Sequence, residues 1–448
     1  MQDEIIKARK RGTLKVRVVL VALVLVLAAI FLLWRVPEAR LGWFDGEAIT
    51  YETKYEKDVY VRFDMEIYDI IVENYWQEVN EAELAELFRL SLAQAMGGLK
   101  EVLPSTDRKG VAAILSKIMK EVPEDKRKTL AIDTGIIILN SLYPEGRSGL
   151  LSDKQETEFR DNVNNINRDQ NLYSILGVAE GVAGEKVTQA YIDKKTVLEI
   201  DDSSEAKAEL EQVNYAYGVL SDSNTRAIYD ETKIEPSVTS QKTSSNTLYL
   251  DLTRITPATF QEVIGKIENI TESNKPAGII IDLRGNIGGA LDFARYFFAL
   301  FVGPNQYAYD LFQKGELNVE RTPAIERVET LQNISDVAIL TDKNTQSTAE
   351  LMAAVFKRSN RAKLVGTPTL GWGTVENTFP IKTTFDGSER YSVLLVHSLT
   401  LRDDGEAIEN KGVDPDVNTN ESDWSNQLSN IFKSRKFIQD IIDIVGEK

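Results

Sequence analysis

A serine in the stretch 337–375 stands where a nucleophile would be well supported. An apolar strand is predicted from Val337 to Thr341, a polar turn follows it, and a helix is predicted to begin near Ser347. At such a corner a serine lies beside unpaired backbone N–H groups at the positive end of a helix dipole, where a developing oxyanion is best stabilised. Helix capping is the alternative role, because serine often caps helices. This stretch alone leaves both roles open.

The elements around this serine indicate an α/β core. Residues Gly278–Ile281 form a continuous apolar run that is typical of a buried parallel strand. Strands that alternate with helices predict βαβ units. A later antiparallel pair, Thr378–Lys382 and Ser392–Ser398, is expected to extend the same sheet. Because sites in open α/β sheets form outside the carboxyl ends of strands, Gly285–Gly289 and Asp342–Ser347 are expected to face one crevice.

Four motifs, in order along the chain, resemble those of the carboxyl-terminal processing, or tail-specific, serine protease family. The family's DLRGNxGG, NxxSASASE, GKG and KGxxPD motifs correspond here to DLRGNIGG at 282–289, DKNTQSTAE at 342–350, GWG at 371–373 and KGVDPD at 411–416. The resemblance covers residues 247–417, with a weaker likeness over 63–99. It implies a crotonase-like βαβ protease core and a serine peptidase activity on protein tails.

This resemblance places Ser347 at the family's nucleophile position and Trp372 at the position of its general-base lysine. A serine hydroxyl is a poor nucleophile until a neighbouring group takes its proton. An indole has one N–H donor and no acceptor for that proton, so Trp372 cannot serve as the base. The substitutes are His397, since histidine is the usual general base near neutral pH, and Glu376, which stands where the family has a glutamine that orients the lysine.

The glycine-rich motif supplies candidates for oxyanion and substrate binding. The resemblance implies that the N–H groups of Gly288 or Gly289 and of Thr348 would hold the developing oxyanion. An ordinary glycine-rich turn is the alternative. Two hypotheses for the domain therefore stay open. It is either a non-catalytic pseudoprotease that binds peptide or protein C-termini or regulates proteolysis, or an active serine peptidase that uses His397 or Glu376 as its base.

Residues 169–232 resemble a J-domain. The stretch opens with NLYSILGV and closes with YAYGVLSDSNTRAIYD. In active members of that family a His-Pro-Asp triplet stimulates the ATPase of a heat-shock chaperone, and here the aligned triplet is Glu199–Asp201, which reads Glu-Ile-Asp. We therefore expect a small all-α spacer or docking module without ATPase stimulation. In the protease family a PDZ domain commonly occupies this place, and the sequence has no PDZ-like pattern.

The N-terminus predicts a membrane anchor. A basic tail, residues 1–17, precedes an uncharged run from Val18 to Trp34, which is about 17 residues long and near the lower limit for a spanning helix. No small-x-small cleavage site follows the run, which favours an uncleaved anchor over a signal peptide. The basic flank predicts that the N-terminus is cytoplasmic. The main body would then lie outside the cytoplasmic membrane, in the periplasm or the extracellular space.

Composition restricts the remaining chemistry. The chain has 448 residues, a net charge of −17, one histidine and no cysteine. The negative charge gives no support to nucleic-acid binding. The absence of cysteine excludes disulfides and thiolate metal sites, and a single histidine excludes a multi-histidine metal site. We expect no cofactor and no metal.

The other segments serve positioning rather than chemistry. Linkers are predicted at 35–60 and 233–246, a helical region at 61–168, the α/β domain at 247–420 and a C-terminal helix at 421–448. The helical region is expected to pack on the core or to mediate self-association into a homo-oligomer.

Overall fold

The computed structural model describes residues 53–98, 100–167, 171–201, 203–268, 270–387 and 389–446. The predicted anchor, Val18–Trp34, lies outside these ranges, as do the basic tail and most of the first linker. Residues Tyr55–Lys448 form one compact unit. Among the helices of the described ranges, none has the length and apolar character needed to cross a membrane.

The N-terminal part and the J-like segment are mostly helical, whereas the remaining part contains both strands and helices. The N-terminal part has a 3-10 turn (Lys54–Lys57) followed by α1 (Val59–Asn74), α2 (Glu81–Ala95), α3 (Arg108–Glu121), α4 (Glu124–Asn140), β1 (Gly149–Ser152) and α5 (Asp153–Val163). The J-like segment has α6 (Leu172–Leu176), α7 (Gly184–Leu198), α8 (Ser204–Ser221) and α9 (Ser223–Thr232). The remaining part has β2 (Val238–Lys242), β3 (Thr247–Leu252), α10 (Thr259–Ile267), β4 (Gly278–Asp282), α11 (Phe293–Val302), β5 (Tyr307–Gln313), β6 (Glu316–Arg321), α12 (Glu329–Gln332), β7 (Asp336–Thr341), α13 (Thr348–Arg358), β8 (Lys363–Gly366), β9 (Thr374–Pro380), β10 (Tyr391–Thr400), β11 (Val417–Asn418), α14 (Trp424–Ile431) and α15 (Arg435–Gly446).

A mostly parallel sheet forms the core that carries the serine. Within the described ranges its strand order is β11-β8-β7-β4-β3-β2. The pairs β3–β4, β4–β7 and β7–β8 are parallel, and every residue of β4 and β7 is buried. The prediction of a buried parallel strand at Gly278–Ile281 is confirmed. The two loops that follow β4 and β7 leave the sheet at the same edge, since parallel strands end together.

The expectation that the late antiparallel pair extends this sheet is wrong. Strands β9 and β10 belong to a second, antiparallel sheet of order β1-β10-β5-β6, in which β9 lies on the other side of β10. The reason is that β10 packs against the N-terminal helices instead of against the parallel sheet. Its Val393 and Leu395 are buried in the core of the N-terminal helices, beside Phe63 and Ile67. Because the N-terminal helices cover β10, strands β9 and β10 form part of a sheet that is separate from the parallel one.

Four predicted segments differ from the structure. The end of the first linker already contains the 3-10 turn Lys54–Lys57 and the start of α1 at Val59. The helical region also contains β1, which pairs with β10. The second linker contains β2, which pairs with β3 along its whole length. The C-terminal helix is broken between α14 and α15, because Asp336 accepts hydrogen bonds from the main-chain N–H groups of Lys433 and Ser434.

The J-like helices form a module with its own small core. Leu172, Val187, Val213 and Leu220 are buried together in it. The chain enters and leaves this module through one antiparallel bridge between Ile166 and Ile234. The two ends of the module therefore lie next to each other in space, as expected for an inserted domain.

Candidate active site

Ser347 lies at a strained corner between β7 and α13. It is the residue before the helix, and its backbone adopts φ 53° and ψ −124°. A residue with a side chain rarely adopts a positive φ, and such strain concentrates at functional sites. A sharp strand-to-helix turn of this kind is also how other hydrolases expose a nucleophilic serine. Ser347 also forms a capping box with Glu350, so the corner combines a helix cap with the geometry of a nucleophile position.

The buried carboxylate of Glu350 ties this corner to the Gly371–Gly373 turn. Glu350 Oε2 accepts hydrogen bonds from the N–H groups of Ser347 (2.9 Å) and Trp372 (2.7 Å), and Oε1 accepts from Gly371 N (2.7 Å) and from the Thr369 hydroxyl. Burial raises the pKa of Glu350, and these hydrogen bonds oppose that shift. One side chain thus fixes the serine loop relative to the turn that carries Trp372.

The glycine-rich loop after β4 meets the serine loop. A Cβ atom built on Gly288 would lie 2.7 Å from Ser347 Cβ and 2.9 Å from Thr348 N, which is closer than real Cβ contacts allow. Gln346 N donates to the Asn286 carbonyl (2.8 Å), and Gly285 N donates to Asp342 Oδ1 (2.9 Å). The two loops therefore line one crevice, as the strand order predicts.

The main-chain hydrogen bonds narrow the candidate oxyanion donors. Gly288 N already donates to Asn286 Oδ1 (2.8 Å), so it is not free for a ligand. The Gly288 carbonyl accepts from Ile255 N (3.1 Å), and in a trans peptide the following N–H, that of Gly289, points the opposite way. Thr348 Oγ1 donates to the Gly289 carbonyl (2.9 Å). Of the three predicted groups, Gly289 and Thr348 remain as donors.

Trp372, which the resemblance places at the family's lysine position, is surrounded by charged residues. Its indole Nε1–H donates to Glu376 Oε1 (3.2 Å), and the guanidinium of Arg147 stacks on its ring with 3.4 Å from Cζ to the ring centroid. Arg147 also donates to Glu409 Oε1 (3.2 and 3.3 Å), while Glu409 Oε2 accepts from Gly373 N (2.8 Å). The indole is therefore fixed by Glu376 and Arg147, while the main-chain N–H of Trp372 is tied to Glu350 of the serine helix.

Glu376 is engaged with this turn rather than with the serine. Its Oε1 accepts from both the Trp372 indole and the Thr374 hydroxyl. Burial raises the pKa of Glu376, which favours its protonated form, and the nearby positive charge of Arg147 opposes that shift. Within the described part of the chain, no hydrogen bond joins Glu376 to Ser347.

His397 lies on β10 with both ring nitrogens engaged. Gln313 Nε2 lies 3.0 Å from His397 Nε2 and donates to it, so the Nδ1–H donates to Ser398 Oγ (2.8 Å). Burial, followed by the charge of Lys314, lowers the pKa of His397. In the described ranges, His397 has no hydrogen bond to Ser347. The structure thus does not bring either predicted substitute base into contact with the serine.

Sequence reasoning missed Arg147, Glu409 and Asn286. Arg147 comes from the segment before β1, and it reaches the site only because β1 pairs with β10. Glu409 lies two residues before the KGVDPDV motif, and Asn286 lies within the glycine-rich motif, so proximity to motifs was the available signal for these two. The sequence around Arg147 contains no motif that would have indicated a role in the site.

Comparison with known proteins identifies two domains. Residues 246–419 match the model of Peptidase family S41, and residues 171–230 match that of the DnaJ domain. The chain therefore contains an S41 peptidase domain, homologous to the carboxy-terminal processing proteases, and a DnaJ domain.

Two curated relatives illustrate the first match. Carboxy-terminal processing protease CtpA of Bacillus subtilis is 32% identical over 193 residues, which are 42% of this chain and 38% of that protein. A probable CtpA-like serine protease of Staphylococcus saprophyticus is 30% identical over 161 residues, which are 36% of this chain and 31% of that protein. The matches thus span less than two fifths of these relatives.

Solved structures show weaker likeness. The photosystem II D1 C-terminal processing protease is 13% identical with a TM-score of 0.46, over 81% of this chain and 93% of that one. A lipoprotein from Streptococcus agalactiae is 15% identical with a TM-score of 0.43, over 83% and 96%.

Proposed function

We propose that this chain is a membrane-anchored, extracytoplasmic S41 pseudoprotease, which binds peptide or protein tails or regulates proteolysis. The observation that carries the proposal is the indole of Trp372 at the position of the general base. It donates to Glu376 and is covered by Arg147, so it offers no acceptor to the Ser347 hydroxyl. Anchoring of the chain rests on the uncharged run Val18–Trp34.

Loss of the base weakens the chemistry but not the binding surface. A hydrolase that lacks a member of its catalytic set keeps only what the oxyanion donors and substrate positioning supply, and its rate falls by a factor of about 10⁴ to 10⁶. In this site the donors at Gly289 and Thr348 and the strained Ser347 corner are kept. A peptide carbonyl would still be bound there without efficient attack.

Strand β9 offers an edge for an extended peptide. Among the described strands it pairs only with β10, and it begins two residues after Trp372. A peptide that adds to a sheet edge gains main-chain hydrogen bonds, while pockets for alternate side chains give specificity. A tail added to β9 would run beside the crevice between the glycine-rich and serine loops.

The rival function is an active serine peptidase with Glu376 or His397 as the base. It requires a rearrangement that releases either residue from its present partners and brings it to Ser347. The rearrangement would have to separate Glu376 from Trp372 and Thr374, or His397 from Gln313 and Ser398.

A serine-reactive fluorophosphonate probe separates the two functions. The purified full chain and its Ser347→Ala variant are incubated with the probe, and labelling is compared with that of an active S41 protease. The pseudoprotease predicts that the full chain labels no more than Ser347→Ala. Labelling that depends on Ser347 and approaches that of the active enzyme would establish the rival function.

Tail binding is tested separately. A fluorescent peptide with a free C-terminus is titrated with the full chain, and its anisotropy is recorded. Ile381 N donates to Tyr391 O, so the alternating main-chain bonds to β10 fall at residues 377, 379 and 381, and the N–H of Thr378 points outward. Thr378→Pro removes this outward donor and should weaken binding. Leu317→Pro, at an outward-pointing position of β6, is the matched control in the same sheet. Equal weakening by both variants, or no binding at all, would remove the β9 edge from the proposal.

A further inference from the structure

Strand β6 ends the antiparallel sheet. In the described part of the chain it pairs only with β5, through a hairpin that a two-residue turn, Lys314–Gly315, closes. The flanking residues of such a turn form a hydrogen-bonded pair, and the pattern then alternates along the strand. Glu316 and Asn318 are thus bonded to β5, while the main-chain N–H and C=O groups of Leu317 and Val319 point outward.

The outer edge of β6 is also apolar on one face. Leu317 is 56% exposed and Val319 is 53% exposed, and alternation puts both side chains on the same face. Leu317 lies opposite Phe312, which contacts Trp76 of the N-terminal helical region with ring centroids 6.3 Å apart. This face therefore continues an apolar layer beyond the helices that cover it. Strand β6 contains no proline and no lysine, the residues that most often protect an edge.

We propose that the β6 edges of two copies of this chain pair antiparallel, with Val319 on the two-fold axis. Residues opposite each other in an antiparallel pair share a face, so only registers that match residues of the same parity are allowed. With Val319 opposite Val319 of the second copy, Leu317 lies opposite Arg321 and Asn318 lies opposite Glu320. The aliphatic part of Arg321 then covers Leu317.

Charge selects this register over its neighbour. Shifting the pairing so that Asn318 faces Asn318 of the second copy would place Glu316 opposite Glu320 twice. Like charges directly opposite each other destabilise a strand pair. The register centred on Val319 has no such pair, because the strand carries both signs of charge in the order ELNVER. A register centred on Leu317 also avoids like charges, but it pairs only residues 316–318 of β6. The register centred on Val319 is therefore the one that pairs most of the strand without opposing like charges.

The dimer has the properties of a small interface. One edge pair of this length forms about six main-chain hydrogen bonds. It buries less surface than the roughly 1,200 Å² that stable complexes need, so the association is weak and depends on concentration. A membrane-anchored chain would raise its own local concentration and favour such a contact.

The cysteine-free sequence allows a direct test of the register. Single-cysteine variants of the full chain, Val319→Cys and Leu317→Cys, are oxidised with copper phenanthroline, and the products are resolved without reductant. In the proposed register the two Cα atoms at 319 lie about 5.5 Å apart, within reach of a disulfide. The two Cα atoms at 317 lie about 13 Å apart along the strands and are out of reach. Val102→Cys is the control, because Val102 is 80% exposed elsewhere on the surface.

The expected result is a reductant-sensitive dimer of Val319→Cys, with Leu317→Cys no more cross-linked than Val102→Cys. Val319→Lys, analysed by sedimentation velocity, should shift the full chain towards monomer while its circular dichroism stays unchanged. Cross-linking of Val319→Cys at the Val102→Cys level would overturn the proposal. Efficient cross-linking of Asn318→Cys, without cross-linking of Val319→Cys, would also overturn it, because the register would then be centred on residue 318. A third contrary result would be an added peptide that binds the β6 edge while Val319→Cys stays monomeric.

Discussion

Main-chain groups, placed by glycines, define the crevice beside Ser347. Gly288 has φ 87° and allows the glycine-rich loop to touch Ser347 and Thr348. Gly289 has φ 143°, and a Cβ there would lie 1.9 Å from the Ile255 carbonyl oxygen. Neither position tolerates a side chain without moving the loop. The geometry of the candidate oxyanion donors therefore depends on two residues that have no side chain.

Gly288→Ala should destabilise the protein and open the crevice. The added methyl group meets Ser347 Cβ and adopts an unfavourable φ, so we expect a loss of about 2–3 kcal/mol in the free energy of unfolding, measured with urea. Gly405→Ala is the matched control, because Gly405 has φ 85° with nothing within 4 Å of its added Cβ. The control should lose only about 1 kcal/mol. Equal losses in the two variants would show that the contact with Ser347 is not tight.

Single residues of the site were predictable where motifs marked them. The strand–turn–helix pattern and the family motifs predicted that the glycine-rich loop and the Ser347 loop face one crevice, and the structure brings these two loops together. The roles of Ser347 and Trp372 stay predictions. The motifs did not show whether Gly288 or Gly289 is the candidate oxyanion donor. That depends on the side chain of Asn286, which accepts a hydrogen bond from Gly288 N. They also left His397 as a candidate base, since alternation along a strand does not reveal which partner, here Gln313, a ring nitrogen meets.

At the scale of helices and strands, predictability followed burial and periodicity. Strands β4 and β7 were predicted because their apolar runs are continuous. Strand β2 was missed because its sequence, VTSQK, is polar and four of its five residues are exposed at the sheet edge. The break between α14 and α15 depends on hydrogen bonds from the main chain to Asp336, a residue about a hundred positions away. No local pattern carries such information.

Helix α1 contains a buried acid that should make stability depend on pH. Asp64 is 0% exposed, and neither of its carboxylate oxygens has a hydrogen-bond partner in the described structure. Burial raises its pKa well above the ordinary value. Since the folded form holds the proton more tightly than the unfolded form, the associated stability is intact below the unfolded pKa, near 4, and is lost as pH rises towards the folded pKa.

Asp64→Asn should therefore flatten the fall of stability with rising pH. The free energy of unfolding is measured with urea at pH 5, 6, 7 and 8 for both proteins. The wild type should lose up to about 1.4 kcal/mol per pH unit more than the variant within the titration range of Asp64. Asp133→Asn, at an exposed position of α4, should leave the wild-type slope unchanged. Parallel curves for wild type and Asp64→Asn would contradict the assignment of a protonated, buried Asp64.

At the scale of the whole molecule, the DnaJ module is an insertion. Its two ends meet at the Ile166–Ile234 bridge, and Tyr215 of α8 donates to Glu235 Oε2 (2.7 Å) just beyond that bridge. Its triplet at 199–201 lacks the histidine and proline of active J-domains, so ATPase stimulation is not expected of it. The resemblance placed this module correctly along the chain. Only the structure showed that its two ends meet at the Ile166–Ile234 bridge.

Removing the DnaJ module should leave the S41 domain folded. Residues 167–233 are replaced by a short Gly-Ser linker, which suffices because bridged residues lie about 5 Å apart. Far-ultraviolet circular dichroism and thermal unfolding should show a cooperative transition within a few degrees of that of the full chain. Tyr215→Phe in the full chain is the control, because it removes only the hydrogen bond from Tyr215 to Glu235. An unfolded or aggregated product, with Tyr215→Phe intact, would show that the module stabilises the core.

In the proposed pseudoprotease, the indole at position 372 keeps Ser347 from being deprotonated. Trp372→Lys is the decisive variant, because Arg147 would lie beside the new amine and lower its pKa. Burial raises the pKa of Glu376, which weakens the opposing effect of that carboxyl group. Cleavage of a peptide tail is followed by mass spectrometry for the full chain, Trp372→Lys and Trp372→Lys/Ser347→Ala. We expect cleavage by Trp372→Lys alone, at least a hundredfold faster than by the other two proteins. Cleavage by the unaltered chain at the rate of Trp372→Lys, abolished by Ser347→Ala, would contradict this expectation.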